Sequence, residues 1–428
     1  MLARARRSTV RPAVKRPRSP LLPIFLVVLV DVLGLTIIYP LLPFYAEHYG
    51  ARPMVVGLLG GTYALCQLIS GPILGRLSDR FGRRPILLVS QAGTFVGFLM
   101  LANAGALWMI FLSRVVDGAT AGNLTVAQAY IADVTEAKDR AKSFAVIGVA
   151  FGLGFMVGPA LGGALAPYGY AVPVYVAAAL SMTSILATAF VLPDERTLRP
   201  ERSLAASGDA GPTGRRLGLF DWGAYAPYFK RPGLASSLLQ FFLFAFAFAT
   251  FNSGFALFAE RRFLWHGKHF GPREVGYVLA YGGLLGVFIL GGMVGRLVKR
   301  YGERTVVIVS FALSAAAYGL LGEGLTITLL MVAVTIAAFG TGPLRPALTA
   351  LISRDAGAEE QGIVLGLSQS LGSIAQITAP LIGGWLIDAN HLSGWAWMAA
   401  ASMALGLAIA MAARGAGPAP APAPVLHG

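Results

Sequence analysis

Charge is scarce in this sequence. Asp, Glu, Lys and Arg make up 13% of the 428 residues, about half the share, near 25%, of an ordinary soluble domain. That excludes a water-soluble globule, which needs more charge to cover its surface. Cysteine is nearly missing: Cys66 stands alone, so there is no internal disulfide framework and no Cys-rich metal site. Of the five histidines, His266 and His269 are neighbours, but no acid or cysteine accompanies them at ligand spacing, and no metal is expected. A Gly-x4-Gly-Lys-Ser/Thr phosphate loop is absent, as is any nucleophile–base arrangement. Neither an ATP-driven machine nor an enzyme is expected, and no cofactor. What is abundant is apolar surface: 56% of residues are hydrophobic, and 53 are glycine. Such content excludes a disordered chain and leaves a polytopic membrane protein, with the lipid bilayer as its first partner.

A bilayer-spanning helix takes about 20 mostly apolar residues. Twelve such stretches run roughly over Leu21–Tyr45, Met54–Leu77, Pro85–Asn103, Leu107–Ile131, Ser143–Ala166, Tyr170–Leu192, Leu234–Ala259, Glu274–Val298, Arg304–Leu321, Thr326–Ile352, Gly362–Ile387 and Trp395–Ala413. The alternation of a transmembrane barrel is missing. The expected fold is therefore all-α, with twelve transmembrane helices. With the N-terminus inside, inner segments hold 27 of the 34 basic residues, and outer loops hold five: Arg52, Arg261, Arg262, Lys268 and Arg273. This asymmetry puts both termini in the cytoplasm. It also explains the +14 net charge without nucleic acid, because the basic residues sit beside spans. Residues 1–20 carry seven basic groups and no acid; they read as a solvated basic tail rather than a signal or transit peptide. Residues 415–428, rich in Pro and Ala, read as a disordered tail.

The stretch Pro193–Arg231 interrupts the apolar pattern and contains Asp194, Glu195, Arg196, Gly208, Asp209, Gly211 and Pro212. It divides the chain into a six-helix bundle over 21–193, a cytoplasmic linker over 194–232 and a second six-helix bundle over 233–414. The halves repeat one another. Gly75-Arg-Leu-Ser-Asp-Arg-Phe-Gly-Arg-Arg84 matches Gly295-Arg-Leu-Val-Lys-Arg-Tyr-Gly-Glu-Arg304 at an offset of 220, and Gly158-Pro-Ala-Leu-Gly-Gly163 matches Ala379-Pro-Leu-Ile-Gly-Gly384 at 221. Such repeats mark transporters whose halves rock about a central site near the midplane.

Four motifs carry a family resemblance. Gly75-x-Leu-Ser-Asp79-Arg-x-Gly82-Arg-Arg84 resembles the loop signature of the major facilitator superfamily. Leu33-Gly-Leu-Thr-Ile-Ile-Tyr-Pro40-Leu-Leu-Pro43 resembles the first-span mark of its drug:proton antiporters, Arg114-Val-Val-Asp117-Gly-Ala-Thr-Ala-Gly-Asn123 their fourth-span motif, and Gly154-x3-Gly158-Pro159-x2-Gly162-Gly163 their fifth-span antiporter motif. Within the family the chain looks most like the branch with the bacterial tetracycline efflux proteins. That branch would lead one to expect acids in spans 3 and 9 and a His in span 8; the nearest positions here are Gly97, Ser314 and Gly286. The resemblance implies proton-coupled efflux of small amphiphilic organic compounds by alternating access, in a cell inner membrane. Only lipid, protons and a small-molecule substrate are expected as partners, with the protein a monomer and the proton gradient as driving force. A uniporter or symporter on the same fold, and a non-transporting receptor or scaffold, are the competing readings.

The residues fill in this expectation. Gly75 and Gly82 allow tight turns. The family pattern implies that Asp79, Arg83 and Asp133 form a charge relay latching the halves in the outward-open state, with Arg80 and Arg84 in the same motif; the second copy has Lys299 where Asp79 stands. Gly154, Gly158, Gly162 and Gly163 have the small-residue spacing that lets helices touch, and Pro159 allows a bend. The resemblance makes this a flexible seam between the halves, although plain helix packing also explains it.

Asp31 lies about 15 Å into span 1 at 1.5 Å per residue. A charge there costs about 2.5–3.5 kcal/mol on insertion scales, so it must face a cavity or a partner. It is a candidate for exchanging a proton against substrate, or else a permanent partner of Arg114. Arg114 and Asp117, three residues apart, share a helix face, with Gln128 on nearly the same face. The resemblance gives Arg114 a role in proton coupling, with Asp117 joining it or simply pairing with it. Tyr63, Gln67 and Ser70 on span 2 and Gln369, Ser373 and Gln376 on span 11 form polar stripes, toward a cavity or toward helix–helix hydrogen bonds. Phe244, Phe248, Phe251, Phe255 and Phe258 on span 7, with Asn252 alongside, form an aromatic cavity wall or a packing ridge. Arg345, in Gly342-Pro-Leu-Arg-Pro346 and expected near the cytoplasmic end of span 10, binds an anionic group or snorkels to the headgroups.

Overall fold

The computed structural model describes residues 21–135, 140–193, 222–323, 326–356 and 360–415. The basic N-terminal tail, the Pro/Ala tail from residue 416 and most of the linker lie outside the described residues. The first half runs α1 (Leu21–Ile38), α2 (Leu42–His48), α3 (Pro53–Phe81), α4 (Arg83–Ala102), α5 (Leu107–Ala119), α6 (Asn123–Val134), α7 (Arg140–Leu165) and α8 (Ala171–Phe190). A short helix, α9 (Trp222–Phe229), follows in what the sequence assigns to the linker. The second half then runs α10 (Pro232–Arg262), the strands β1 (Leu264–Trp265) and β2 (Lys268–His269), α11 (Pro272–Phe288), a π-turn (Ile289–Met293), α12 (Val294–Tyr301), α13 (Glu303–Glu323), α14 (Ile327–Ala356), α15 (Gln361–Asp388) and α16 (Leu392–Gly415).

Ten helices among the described residues are long and apolar enough to cross a membrane, and α1 with α2 makes an eleventh span bent by 43°. The bend falls at the Tyr39–Leu41 turn, beside Pro40 and Pro43. The twelfth stretch corrects the expectation of one continuous fourth span. It breaks at Thr120–Gly122 into α5 and α6. The interruption is satisfied from α4: the Ser90 hydroxyl donates to the Thr120 carbonyl and accepts from the Gly122 amide at 2.9 Å. Non-helical backbone at such depth persists only where other protein groups supply its hydrogen bonds.

The repeat seen in the sequence is a structural repeat. Gly82 ends α3 at φ 102° and Gly302 ends α12 at φ 78°. Both sit in the matched loop of their half, where the chain reverses through a left-handed conformation that suits glycine. The β1–β2 hairpin, which periodicity does not reveal, turns on His266 and Gly267, both at positive φ.

Packing shows how the bundles meet. One apolar cluster draws on both halves, with Leu41, Phe44 and Leu101 from the first and Phe255, Phe263 and Trp395 from the second. It lies at the hairpin end. At the opposite end, which carries the Gly75–Arg84 loop, each half has its own cluster: Val28, Leu87 and Tyr130 in one, Leu234, Phe311 and Leu348 in the other. The interface follows the same division. A side chain at Gly57 of α3 would collide with the Pro380 carbonyl of α15, and Gly61 lies against Ile377. On the other flank Gly163 of α7 faces Gly276 of α11, and Gly283 faces Phe155. Toward the loop end, Gly71, Gly148, Gly286 and Gly366 have nothing within 4 Å of a would-be side chain. The bundles therefore close at the hairpin end and part at the loop end.

Candidate functional site

The acid of α1 sits in a polar chain inside the first bundle. Asp31 is half-buried, and its Oδ1 accepts from Ser184 of α8 at 3.2 Å. Ser184 in turn accepts from the Gln91 amide of α4 at 2.8 Å, and the Ser181 hydroxyl donates to the Gln91 carbonyl. Asp31 is not the ion-pair partner of Arg114. Arg114 Nη1 lies 3.3 Å from Asp117 Oδ2, with both side chains 4% exposed. Thr94 lies close enough to Asp117 to influence its charge, and Gly97 gives Asp117 room, since a side chain there would come within 3.0 Å of its Cβ. Arg114 Nη2 is buried without a hydrogen-bond partner. Asp31 is in electrostatic contact with Asp117, and Tyr63 with Asp31, Arg114 and Asp117. Two acids and one cation thus share the core of the first bundle.

Sequence reasoning missed Ser184, Gln91 and Thr94. Their signal was present: Gln91 and Thr94 share a face of α4, and Ser181, Ser184 and Thr188 line α8 at helical spacing. The break in the fourth span overturns the alignment of Gln128 with Asp117. The helical phase is lost across Thr120–Gly122, leaving Gln128 exposed while Asp117 is buried.

The span-2 stripe divides. Tyr63 and Gln67 are half-buried, with 3.4 Å between Gln67 Nε2 and the Tyr63 hydroxyl, whereas Ser70 donates to the Gly118 carbonyl of α5 at 2.8 Å. On α15, Gln369 and Gln376 are exposed, and Ser373 turns into its own helix toward the Gln369 carbonyl. Asn252 does likewise toward the Phe248 carbonyl. The phenylalanine row is a packing ridge: Phe255 and Phe258 are buried, and Phe258 stacks on Trp395 at 4.8 Å.

The loop motif forms its relay. Arg83 lies 2.5 Å from Asp79 and 2.8 Å from Asp133, and it also donates to Ser78. Arg84 instead donates to the Thr188 and Ala189 carbonyls, capping the end of α8. Arg80 stacks over Phe81. Gly75 approaches Thr125 of α6. The span-5 motif needs a correction. Side chains at Gly154, Gly158 and Gly162 would meet Val32, Thr36 and Ile37 of α1, within the same bundle. Thr36 donates to the Gly154 carbonyl at 2.8 Å. Gly163 and the Pro159 carbonyl face the second half against Gly276, and the intervening Phe155 and Met156 face it against Gly283. Most of the motif is thus a seam within the first half, because its glycines at four-residue spacing point one way.

At the hairpin end Arg261 joins Glu47 across the halves at 2.5 Å and its neighbour Glu260 at 2.9 Å. His269 reaches the Glu260 carbonyl, not a metal-ligand partner. Among the described residues no group of three or more His, Cys, Asp or Glu could hold a metal ion.

Known proteins agree with this architecture. A family model described as Major Facilitator Superfamily matches residues 24–294 and again 263–427. The class B tetracycline resistance protein of Escherichia coli is 31% identical over 382 residues, spanning 87% of this chain and 90% of that protein. Multidrug resistance protein 2 of Bacillus subtilis is 27% identical over 378 residues, 86% of this chain and 89% of that one. Among solved structures, the human organic anion transporter MFSD10 superposes with a TM-score of 0.67 at 23% identity, covering 91% of this chain and 98% of that one. A peptide transporter, POT, in complex with sulfate superposes with a TM-score of 0.73 at 17% identity, over 95% and 96%. At these identities the solved structures speak for the fold alone. A twelve-stretch chain with two repeated bundles, the loop relay and this family match is a multi-pass membrane transporter, not an enzyme. It belongs to the Major Facilitator Superfamily, in its drug:proton antiporter branch.

Proposed function

We propose that the protein exports small amphiphilic organic compounds in exchange for protons entering the cell. One observation carries this reading: Asp31 lies within electrostatic reach of Asp117, whose ion-pair partner Arg114 has a second terminal nitrogen, buried, with no hydrogen-bond partner. Arg114 can hold one acid at a time. When the bundles rock, transfer of the guanidinium between Asp117 and Asp31 would change which carboxylate needs a proton. A neighbouring cation favours the charged carboxylate, and burial without it favours the neutral one. Tyr63, with Gln67 beside it, borders this group.

The basic asymmetry of the loops supports a cytoplasmic Gly75–Arg84 end, and on that reading the structure is open toward the inside. The relay of Asp79, Arg83 and Asp133 lies wholly within the first half and is already formed with this end open, so it braces the loop end of one bundle and does not by itself latch the two halves together. The cell inner membrane, cytoplasmic termini, a monomeric state and a proton gradient in place of any cofactor complete the reading. The names of the relatives, tetracycline and multidrug resistance proteins, support export of organic drugs as the substrate class. The test is transport by purified protein in vesicles with an imposed pH gradient. A rate that follows the gradient supports antiport; a rate indifferent to it leaves a uniporter.

A further inference from the structure

The second half holds one charge deep inside a span that the proton reading does not use. Arg345 stands near the middle of α14, a helix of 30 residues. It lies eleven residues, or about 16 Å, from the loop-end terminus of that helix. With the helix centred in a hydrocarbon layer about 30 Å thick, the nearest headgroups are farther away than the side chain extends, so snorkelling does not explain it. Its surroundings are unusual for an intramembrane cation. It makes no ion pair among the described residues, although Arg261 and Arg354 of the same half each have a carboxylate. Its side chain is exposed.

Helical spacing shows which way it faces. Gly342, three residues earlier, packs on Ile289 of the π-turn, and Leu348 and Ile352 enter the core of the second bundle. Arg345 lies on the side of α14 between Gly342 and Leu348. At the offset of 220 that relates the halves, its counterpart is Thr125, so the charge is no relic of the repeat. A cation kept inside a membrane protein without a partner is costly, and guanidinium is suited to bidentate carboxylate, sulfonate or phosphate.

We propose that Arg345 anchors an acidic group of the transported compound, so that the substrate is an amphiphilic anion. This rests on the export reading above and narrows it. One proton entering against one monoanion leaving moves two charges in the same electrical sense. An interior-negative potential then drives such an exchange, whereas one-for-one exchange with a monocation would be electroneutral.

Three probes that share one fluorophore test this: dansylglycine (anion), its methyl ester (neutral) and dansylcadaverine (cation). Their binding is measured by fluorescence with full-length protein in nanodiscs of phosphatidylcholine, with and without phosphatidylglycerol. The expected result is saturable binding of dansylglycine at least tenfold tighter than either other probe in both lipids. Arg345→Gln is expected to abolish the preference and Arg345→Lys to retain part of it, with ester binding as the control for folding. No preference for the anion in the wild-type protein overturns the proposal, whatever the variants do. A preference that disappears when phosphatidylglycerol is added assigns Arg345 to a lipid phosphate, which also overturns it. Flux in vesicles separates the two readings. Anion-selective binding with no response to a pH gradient removes antiport and leaves the anchor. Gradient-driven flux with no charge preference removes the anchor and leaves antiport.

Discussion

Arg114 and Asp117 stand one helical turn apart, almost wholly buried, with 3.3 Å between Nη1 and Oδ2. The pair holds the one cation among these three groups, and Asp31 waits beside it on Ser184. Removing one member of a buried pair leaves its partner uncompensated and costs about 3–5 kcal/mol, whereas removing both together costs far less. Asp117→Asn is therefore expected to destabilise the protein in detergent more than the double variant Arg114→Gln/Asp117→Asn does, by thermal unfolding. A double variant at least as unstable as the single one would show that the two residues do not compensate each other.

The relay at the loop end should behave differently. Asp79 is about half exposed, at 52%, and Asp133 at 37%, so each pair contributes no more than about 1 kcal/mol to stability. Asp79→Asn is expected to leave unfolding nearly unchanged while slowing turnover, read from initial transport rates. A large loss of stability with normal turnover would make the relay structural.

At the other end Arg261 and Glu47 bridge the bundles, with side chains 30% and 19% exposed. A partly exposed bridge worth about 1 kcal/mol shifts a two-state balance about fivefold. Glu47→Gln is expected to raise the population open at the hairpin end by that factor. Spin-label distances between α2 and α10 measure it, and an unchanged distribution would remove the bridge from the gate.

Glycine at the interface gives a paired test. A side chain at Gly283 would collide with the Phe155 carbonyl, but one at Gly286 meets nothing within 4 Å. Overpacking costs about 1–3 kcal/mol. Gly283→Leu is expected to disfavour the state closed at the hairpin end, and Gly286→Leu to spare it and obstruct closure at the loop end. The same distance measurements decide, and equal effects of both substitutions would contradict the geometry described here.

Much of this was legible in the sequence, for physical reasons. The spans follow from apolar length, the two bundles from repeats in Gly75–Arg84 and Gly295–Arg304, and the Arg114–Asp117 pair from i,i+3 spacing. The bend after α1 had its signal in Pro40 and Pro43, and the π-turn had one in Gly291-Gly292. The break at Thr120–Gly122 did not, since Thr-Ala-Gly can continue a helix. It depends on Ser90, a residue of another span. The partner of Asp31 lies 153 positions away on α8, and no local pattern reports such a distance. The direction in which Gly154, Gly158 and Gly162 point was equally hidden, because small-residue spacing marks a contact without naming the helix on the other side.

On this reading the half-buried carboxylate of Asp31 in α1 carries the exchanged proton. The most direct measurement compares wild-type protein with Asp31→Asn in vesicles, following substrate uptake and internal pH together under an imposed proton gradient. The wild-type protein is expected to move protons and substrate in opposite directions, and Asp31→Asn to bind substrate still but no longer respond to the gradient. Gradient-driven transport that persists in Asp31→Asn would contradict it.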